Sequence, residues 1–406
     1  MTMENTRDTR LTAPVPLAAR PLFAKLRRLQ RGQLTVVLHN GQHYRITGSQ
    51  AGPVATLQLH HPLRLTLRLL QRGDIGLAEG LMAGDWSSDE LTQVLLVLEQ
   101  NEEALGRVSL GRPLLQLYDR WQHLLRRNSL RGSRRNIAFH YDLGNDFYRL
   151  WLDPSMTYSA ALFSHHSESL ETAQQRKYQR ILEQLDAEPG QHILEIGCGW
   201  GGFACYAAAQ GYHVTGITLS QEQLNYARER VQREGLSDRV ELRLQDYRRL
   251  GEQFDHIVSI EMFEAVGEAY WDTYFQTLRR CLKPGGRASL QVITIDDSRF
   301  KRYRNRADFI QKYIFPGGML PSVPAFNSHA LQAGLTVQAQ QFYALDYART
   351  LRRWNTRVEE KSAEILAQGF DERFLAMWRY YLSYCEAGFR SARIDLMQVA
   401  LQPVNT

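Results

Sequence analysis

The residues best suited to chemistry fall in one short stretch, Ile193-Leu194-Glu195-Ile196 followed by Gly197-Cys198-Gly199-Trp200-Gly201-Gly202. An apolar strand runs into glycines and then into a helix near Phe203. Glycine suits such a turn because the backbone bends tightly and a ligand can approach with no Cβ in the way. Gly197, Gly199 and Gly202 satisfy the G-x-G-x-x-G spacing of dinucleotide-binding turns, but that fingerprint asks for an acid ~20 residues on, to hold a ribose diol. This chain has Gly216-Ile217-Thr218-Leu219-Ser220 there. Glu195 instead opens an E-x-G-x-G-x-G pattern, and Asp246 closes a third strand where a carboxylate can accept an adenine amino proton. Leu282-Lys283-Pro284-Gly285-Gly286 then leads into a fifth strand. Together these favour S-adenosylmethionine over a nicotinamide cofactor, and methyl transfer as the chemistry. A Walker phosphate loop is excluded, because no Gly-Lys-Ser/Thr follows the glycines.

To position these residues, short apolar strands must alternate with helices. The sequence predicts strands at 192–196, 213–217, 240–244, 256–260 and 288–293. Such alternation implies parallel βαβ units. The expected fold is therefore α/β, a doubly wound class I methyltransferase sheet with helical insertions and a small N-terminal α+β domain. In that first domain, strands are expected at 34–38, 43–47 and 55–59 and helices at 62–71 and 88–99. The stretch 309–404 reads as mostly helical and aromatic-rich. The expected organisation is a tail at 1–21, an accessory domain for lipid binding or dimerisation at 22–105, a basic linker at 106–135 and a catalytic domain at 136–406.

A chain of 406 residues with 44% hydrophobic and 23% charged residues is long enough to bury a large core, which excludes disorder and disulfide-stapled scaffolds. No apolar run approaches the ~20 residues of a membrane-spanning helix, and the first residues lack the apolar block of a signal peptide. Cys198, Cys205, Cys281 and Cys385 show neither metal-ligand spacing nor a paired framework, so no metal site is expected and free thiols in a reducing cytoplasm are. The net charge of +6 leaves nucleic acid, an anionic membrane face and a phosphorylated metabolite open as partners. Arg126, Arg127, Arg131, Arg134 and Arg135 form one basic cluster, and Arg299, Lys301, Arg302, Arg304 and Arg306 form another. Phe300 and Tyr303 lie within the second, and rings interleaved with cations suit a lipid headgroup boundary.

Further motifs occur in a recognisable order: Phe139-His140-Tyr141-Asp142-Leu143-Gly144-Asn145-Asp146-Phe147-Tyr148, Leu152-Asp153-Pro154, Tyr158-Ser159, the glycine loop, Thr218-Leu219-Ser220 with Gln223, and Phe315-Pro316-Gly317-Gly318. The chain in this respect resembles the cyclopropane-fatty-acyl-phospholipid synthase family. The resemblance implies methylene transfer from S-adenosylmethionine to a cis double bond of an unsaturated phospholipid acyl chain. It carries over Tyr158, Ser159, Gly197, Gly199, Thr218, Leu219, Gln223 and Asp246 as cofactor-binding residues. It also implies a homodimer attached peripherally to the inner membrane face, with no nucleic-acid partner.

Alkene attack on a sulfonium methyl leaves a carbocation, so the site must exclude water and then remove a proton. Phe263, Tyr313, Phe315 and Tyr347 are candidate walls. In the family a bicarbonate ion held by Cys, Glu, His and Tyr is the base. Glu264 and Tyr347 fall at matching positions, but Ala160 stands at the cysteine position and Gln291 at the histidine position. The catalytic candidates are thus Glu264, Tyr347 and Gln291. Three routes stay open: a bicarbonate still held through the Gln291 amide, Glu264 acting directly as base, or a different fate for the cation. The last includes reduction by a reductase partner, giving methylene- or methyl-branched chains in place of a cyclopropane ring. A methyltransferase of small molecules is the remaining alternative. Nucleic-acid methylation lacks support, since no base-flipping proline motif lies beside the fourth strand.

Overall fold

The computed structural model describes residues 15–106 and 143–404. The basic cluster at 126–135, with nearly all of the linker expected at 106–135, lies outside the described residues. The described residues divide into two compact units, one made of 15–106 and 362–391, the other of 143–361 and 392–404.

The first unit holds strands β1 (Arg31–Leu38), β2 (His43–Thr47), β3 (Gln50–Leu59) and β4 (Trp86–Ser87) in the order β2-β1-β3-β4. In β1, residues alternate between buried and more accessible, as expected for a sheet with one covered face. Helices Asp74–Met82 and Leu91–Gln100 belong to this unit, and so does Glu372–Arg390 from far along the chain. Thr92 Oγ1 donates to Glu386 Oε2 at 3.0 Å. The sequence predicts residues 372–390 as part of a catalytic domain at 136–406. The buried face of this helix, with Leu375, Trp378 and Leu382, marks it as packed against something without saying against what.

The second unit is built on a seven-stranded sheet of β5 (His192–Ile196), β6 (His213–Thr218), β7 (Val240–Leu244), β8 (Phe254–Ile260), β9 (Leu282–Ile295), β10 (Leu335–Phe342) and β11 (Ile394–Pro403). The order is β10-β11-β9-β8-β5-β6-β7. Strands β5 to β9 are parallel, so the α/β doubly wound expectation holds. The order reverses direction at β5, with β6 and β7 on one side and β8 and β9 on the other. Ligands of open α/β sheets bind at such a reversal, beyond the carboxyl ends of the strands. The stretch expected to be mostly helical contains β10 and β11, which extend the sheet antiparallel from β9. From Leu396 to Leu401 every residue of β11 is buried, and a strand covered on both faces carries no alternation to betray it.

Candidate functional site

Strand β5 delivers Glu195 and Ile196 into the glycine loop at the reversal point. The N–H groups of Gly197 and Cys198 both donate to Ile217 O, at 2.9 and 3.0 Å, which ties the loop to β6. Gly197, Gly199 and Gly201 have φ of 88°, 51° and 80°, the left-handed region that glycine alone adopts freely. Their surroundings differ. A Cβ on Gly202 would lie 2.5 Å from Tyr178 Oη and one on Gly201 3.2 Å from Ala227 Cβ, so both positions are closed by protein. A Cβ on Gly199 would have only Gln223 Nε2 near it, at 4.0 Å. Gly199 faces open space.

Gln223, one of the residues expected at the site, borders that space. Thr218, at the end of β6, donates through Oγ1 to Gln223 Oε1 at 3.1 Å. Ser220 Oγ accepts from Gln223 N at 3.3 Å, capping helix Gln221–Arg233. Leu219 between them is half-buried. Asp246 follows β7; its carboxylate accepts from Arg248 N and Nε at 3.0 and 2.9 Å, and from Arg248 Nη2 at 2.6 Å. A carboxylate has about four acceptor sites, so this pairing does not exhaust it. Tyr158 packs with Tyr148, Trp151 and Trp354 at ring separations of 5.6, 5.4 and 5.4 Å. Ser159 Oγ accepts from the fully buried Lys177 Nζ at 2.6 Å. A glycine cradle with open space, flanked by a Thr–Gln pair and a strand-end carboxylate, fits S-adenosylmethionine.

The loop touches a second cluster directly, since a Cβ on Gly197 would lie 2.9 Å from Met262 Cγ. Met262 belongs to the turn that follows β8, and Glu261 opens that turn with φ of 50°. Glu261 N donates to Gln291 O at 2.8 Å, which places the residue beside β9. Its Oε1 accepts from Ala160 N at 2.8 Å and from Gln291 Nε2 at 2.7 Å, and its Oε2 accepts from Tyr347 OH at 2.5 Å. Gln291 Oε1 in turn accepts from Gln398 Nε2 at 2.8 Å, on β11. Structure therefore brings together Gln291, Tyr347 and the Ala160 position as anticipated, but around Glu261.

Glu264 is placed differently. Its Oε1 accepts from Ile293 N, filling a β9 amide past the end of β8, and its Oε2 has no hydrogen-bond partner among the described residues. The reason is the one-turn helix Phe263–Ala265, which carries Glu264 away from the donors that Glu261 meets. Phe263 is likewise no wall of an open site. It is fully buried among Trp271, Tyr274, Phe275 and Phe326, with ring separations of 5.2 to 5.4 Å. Tyr313 and Phe315 are half-buried.

Electrostatics separate the two carboxyls. Burial raises the pKa of Glu261, while Tyr347, the Ala160 N–H, Gln291 and the Lys177 charge pull it back. Glu264 is pushed up to about 8 by burial and by the Glu261 charge, opposed by the Ile293 N–H. Three donors meet the Glu261 carboxylate and one backbone N–H meets Glu264. Burial lowers Lys177 to about 7 against the attraction of Glu261, Asp153 and Glu195. Glu195 rises to about 8 by burial, with Lys177 opposing. Neither Glu261 nor Lys177 was singled out from the sequence. The only available signal was a second carboxylate three residues before Glu264, at the end of an apolar strand.

The second basic cluster lies on and after helix Asp297–Tyr303. Phe300 stacks on Trp271 at 6.2 Å and Arg304 pairs with Glu268; Lys301, Arg302 and Arg304 are all exposed. All four cysteines are free thiols, and no helix among the described residues is long and apolar enough to cross a membrane.

The model of the mycolic acid cyclopropane synthetase family matches residues 128–399. Tuberculostearic acid methyltransferase of Mycobacterium tuberculosis is 42% identical over 366 residues, spanning 87% of this chain and 85% of that protein. Cyclopropane-fatty-acyl-phospholipid synthase of Escherichia coli is 39% identical over 342 residues, spanning 82% and 84%. Among solved structures, a mycolic acid cyclopropane synthase complexed with SAH and CTAB superimposes with a TM-score of 0.62 at 32% identity, covering 66% of this chain and 98% of that one.

Proposed function

The chain belongs to the mycolic acid cyclopropane synthetase family and is an S-adenosylmethionine-dependent methyltransferase of lipid double bonds, and we propose that its substrate is the cis double bond of an unsaturated phospholipid acyl chain and its product a cyclopropane ring. When bound, S-adenosylmethionine supplies an electrophilic methyl, which the alkene π pair takes as the carbon–sulfur bond breaks. The chain's own residues bind and orient. The glycine loop with Thr218 and Gln223 would hold the cofactor, with Asp246 at its adenine end and Tyr158 and Ser159 lining its other side.

The observation that carries this reading is the contact between loop and carboxylate cluster, Gly197 against Met262, with Glu261 one residue before Met262. Alkene alkylation creates a cation that needs a dry, negatively charged neighbourhood. The ammonium or oxonium ion formed from an amine or hydroxyl nucleophile, unlike a carbocation, is not destroyed by water and needs no dry site. A second reading, exomethylene- or methyl-branched product, is favoured by the 42% identity to a tuberculostearic acid methyltransferase. Its saturated form needs a reductase partner. Lys301 and Arg302 are proposed to face anionic headgroups, and the chain to act as a homodimer at the inner membrane face.

The test is transfer of a ¹³C-labelled methyl from S-adenosylmethionine to phospholipid vesicles, followed by lipid mass spectrometry, proton NMR and ozonolysis. A gain of one methylene, with high-field cyclopropyl protons and resistance to ozone, supports the ring. Ozone cleavage at the modified carbon establishes the exomethylene product, and a methyl doublet without cyclopropyl protons establishes the saturated methyl branch. Absence of label in every unsaturated phospholipid, with label in a small-molecule acceptor, would overturn the lipid reading.

A further inference from the structure

We infer that Glu261 is the built-in proton acceptor of this reaction, its side chain filling the donor cluster of Ala160 N–H, Gln291 Nε2 and Tyr347 OH that an external anion would otherwise occupy. The inference rests on the alkene-alkylation reading. Three neutral donors converging within hydrogen-bond distance form an anion site, and here the anion is supplied by the protein chain.

Each donor is itself held. Gln398 donates to Gln291 Oε1, so the Gln291 amide must turn its NH₂ towards Glu261. The loop carrying Ala160 is secured from two sides: Gln174 Nε2 donates to Ser159 O at 2.8 Å, and Ala161 N donates to Thr350 Oγ1 at 3.1 Å. Tyr347 sits buried on the first turn of helix Ala344–Glu360. The backbone gives an independent sign. Glu261 is in the left-handed region, where a residue with a side chain is strained. Such strain persists where the surroundings over-determine it, and it clusters at functional sites.

Chemical division between the two carboxyls follows from their partners. Three donors stabilise the charge on Glu261, whereas one backbone N–H meets Glu264. Two neighbouring buried carboxyls do not both ionise, so the better-solvated one carries the charge. In the proton-transfer step a C–H bond of the newly attached methyl breaks. Its electron pair closes the third carbon–carbon bond of the ring and quenches the cation, and the proton passes to the Glu261 carboxylate. The resulting acid returns its proton to water when product leaves. An exomethylene product needs a 1,2-hydride shift that moves the cation to the methylated carbon and then loses a proton from the same methyl, so one acceptor serves both products.

The decisive variant is Glu261→Gly. Glycine suits the positive φ, keeps all three donors and leaves a carboxylate-sized gap between them. We expect unchanged S-adenosylhomocysteine affinity by calorimetry and a turnover loss of about 10²–10⁴, the usual contribution of a positioned base. Bicarbonate labelled with ¹³C should bind this variant, and not the wild type, by NMR saturation transfer. Added bicarbonate or formate should restore part of the turnover. Glu261→Gln should lose turnover without binding the anion. Full turnover in either variant, or a wild type that binds labelled bicarbonate and stops without it, would overturn the inference. Absence of methyl transfer to phospholipid by the wild type would instead overturn the functional reading, and the NMR comparison would still judge the anion cluster.

Discussion

Replacing Gly199 by valine tests the cofactor site at the point where protein and ligand effects separate most cleanly. At φ of 51° a side chain costs roughly 1–2 kcal/mol in the left-handed region. For a body of this size each kcal/mol moves Tm by about 2–4 °C, so scanning calorimetry should show a fall of roughly 2–8 °C. The protein itself offers no obstacle, because a Cβ there meets only Gln223 Nε2, at 4.0 Å. The valine methyls therefore occupy the space reserved for ligand. Loss of even two decades of affinity corresponds to about 2.8 kcal/mol, a modest demand on a steric clash at the backbone approach. Gly202→Ala is the counterpart. Its Cβ would fall 2.5 Å from Tyr178 Oη and 3.1 Å from Thr157 Oγ1, two atoms that hydrogen-bond to each other at 2.6 Å. It should lower Tm further than Gly199→Val while any folded fraction keeps its affinity. Titration calorimetry with S-adenosylhomocysteine reads both. Wild-type affinity in Gly199→Val would refute the placement of the cofactor.

Glu264→Gln should change the pH dependence of stability. The folded pKa of about 8 lies above the ordinary 4.5, so the stability held below about 4.5 is lost as pH rises towards 8. The glutamine variant should therefore gain on wild type between pH 5 and pH 8 in urea denaturation; a constant difference would show that Glu264 is ionised throughout. In the first unit, Asn101 accepts from Gln30 N and Arg31 N at 2.8 and 2.9 Å and donates to Arg31 O and Val97 O at 2.9 and 2.8 Å. Of these partners only Val97 O is fully buried, so Asn101→Ala should cost about 1–3 kcal/mol, the penalty of one buried group left unpaired, with hydrogen exchange accelerated in β1. Joint replacement of Lys301 and Arg302 by glutamine should weaken co-sedimentation with anionic vesicles at low salt and leave cofactor affinity unchanged. Equal binding to neutral vesicles by the wild type would count against an electrostatic contact.

What the sequence determined by itself is the local part. The glycine loop, the strand ends at Thr218 and Asp246 and the parallel alternation are written in contiguous residues, because turn geometry and strand periodicity act over a few positions. Tyr347, Gln291 and the Ala160 position were legible as a group only through the likeness to a family. Tertiary structure decided which carboxylate they surround. Glu261 and Glu264 are three residues apart, and the choice between them depends on a left-handed backbone at Glu261 and a short helix at Phe263–Ala265. It depends also on donors drawn from residues 160, 291 and 347. The same holds for helix Glu372–Arg390, whose apolar face is evident in sequence but whose partners lie nearly three hundred positions away, as in the Thr92–Glu386 bond. Burial on both faces removed the periodic signal of β11, and packing in the ring cluster claimed Phe263 for the core. Short-range rules set what each segment is; convergence of distant segments on one point in space sets what a charged side chain does there.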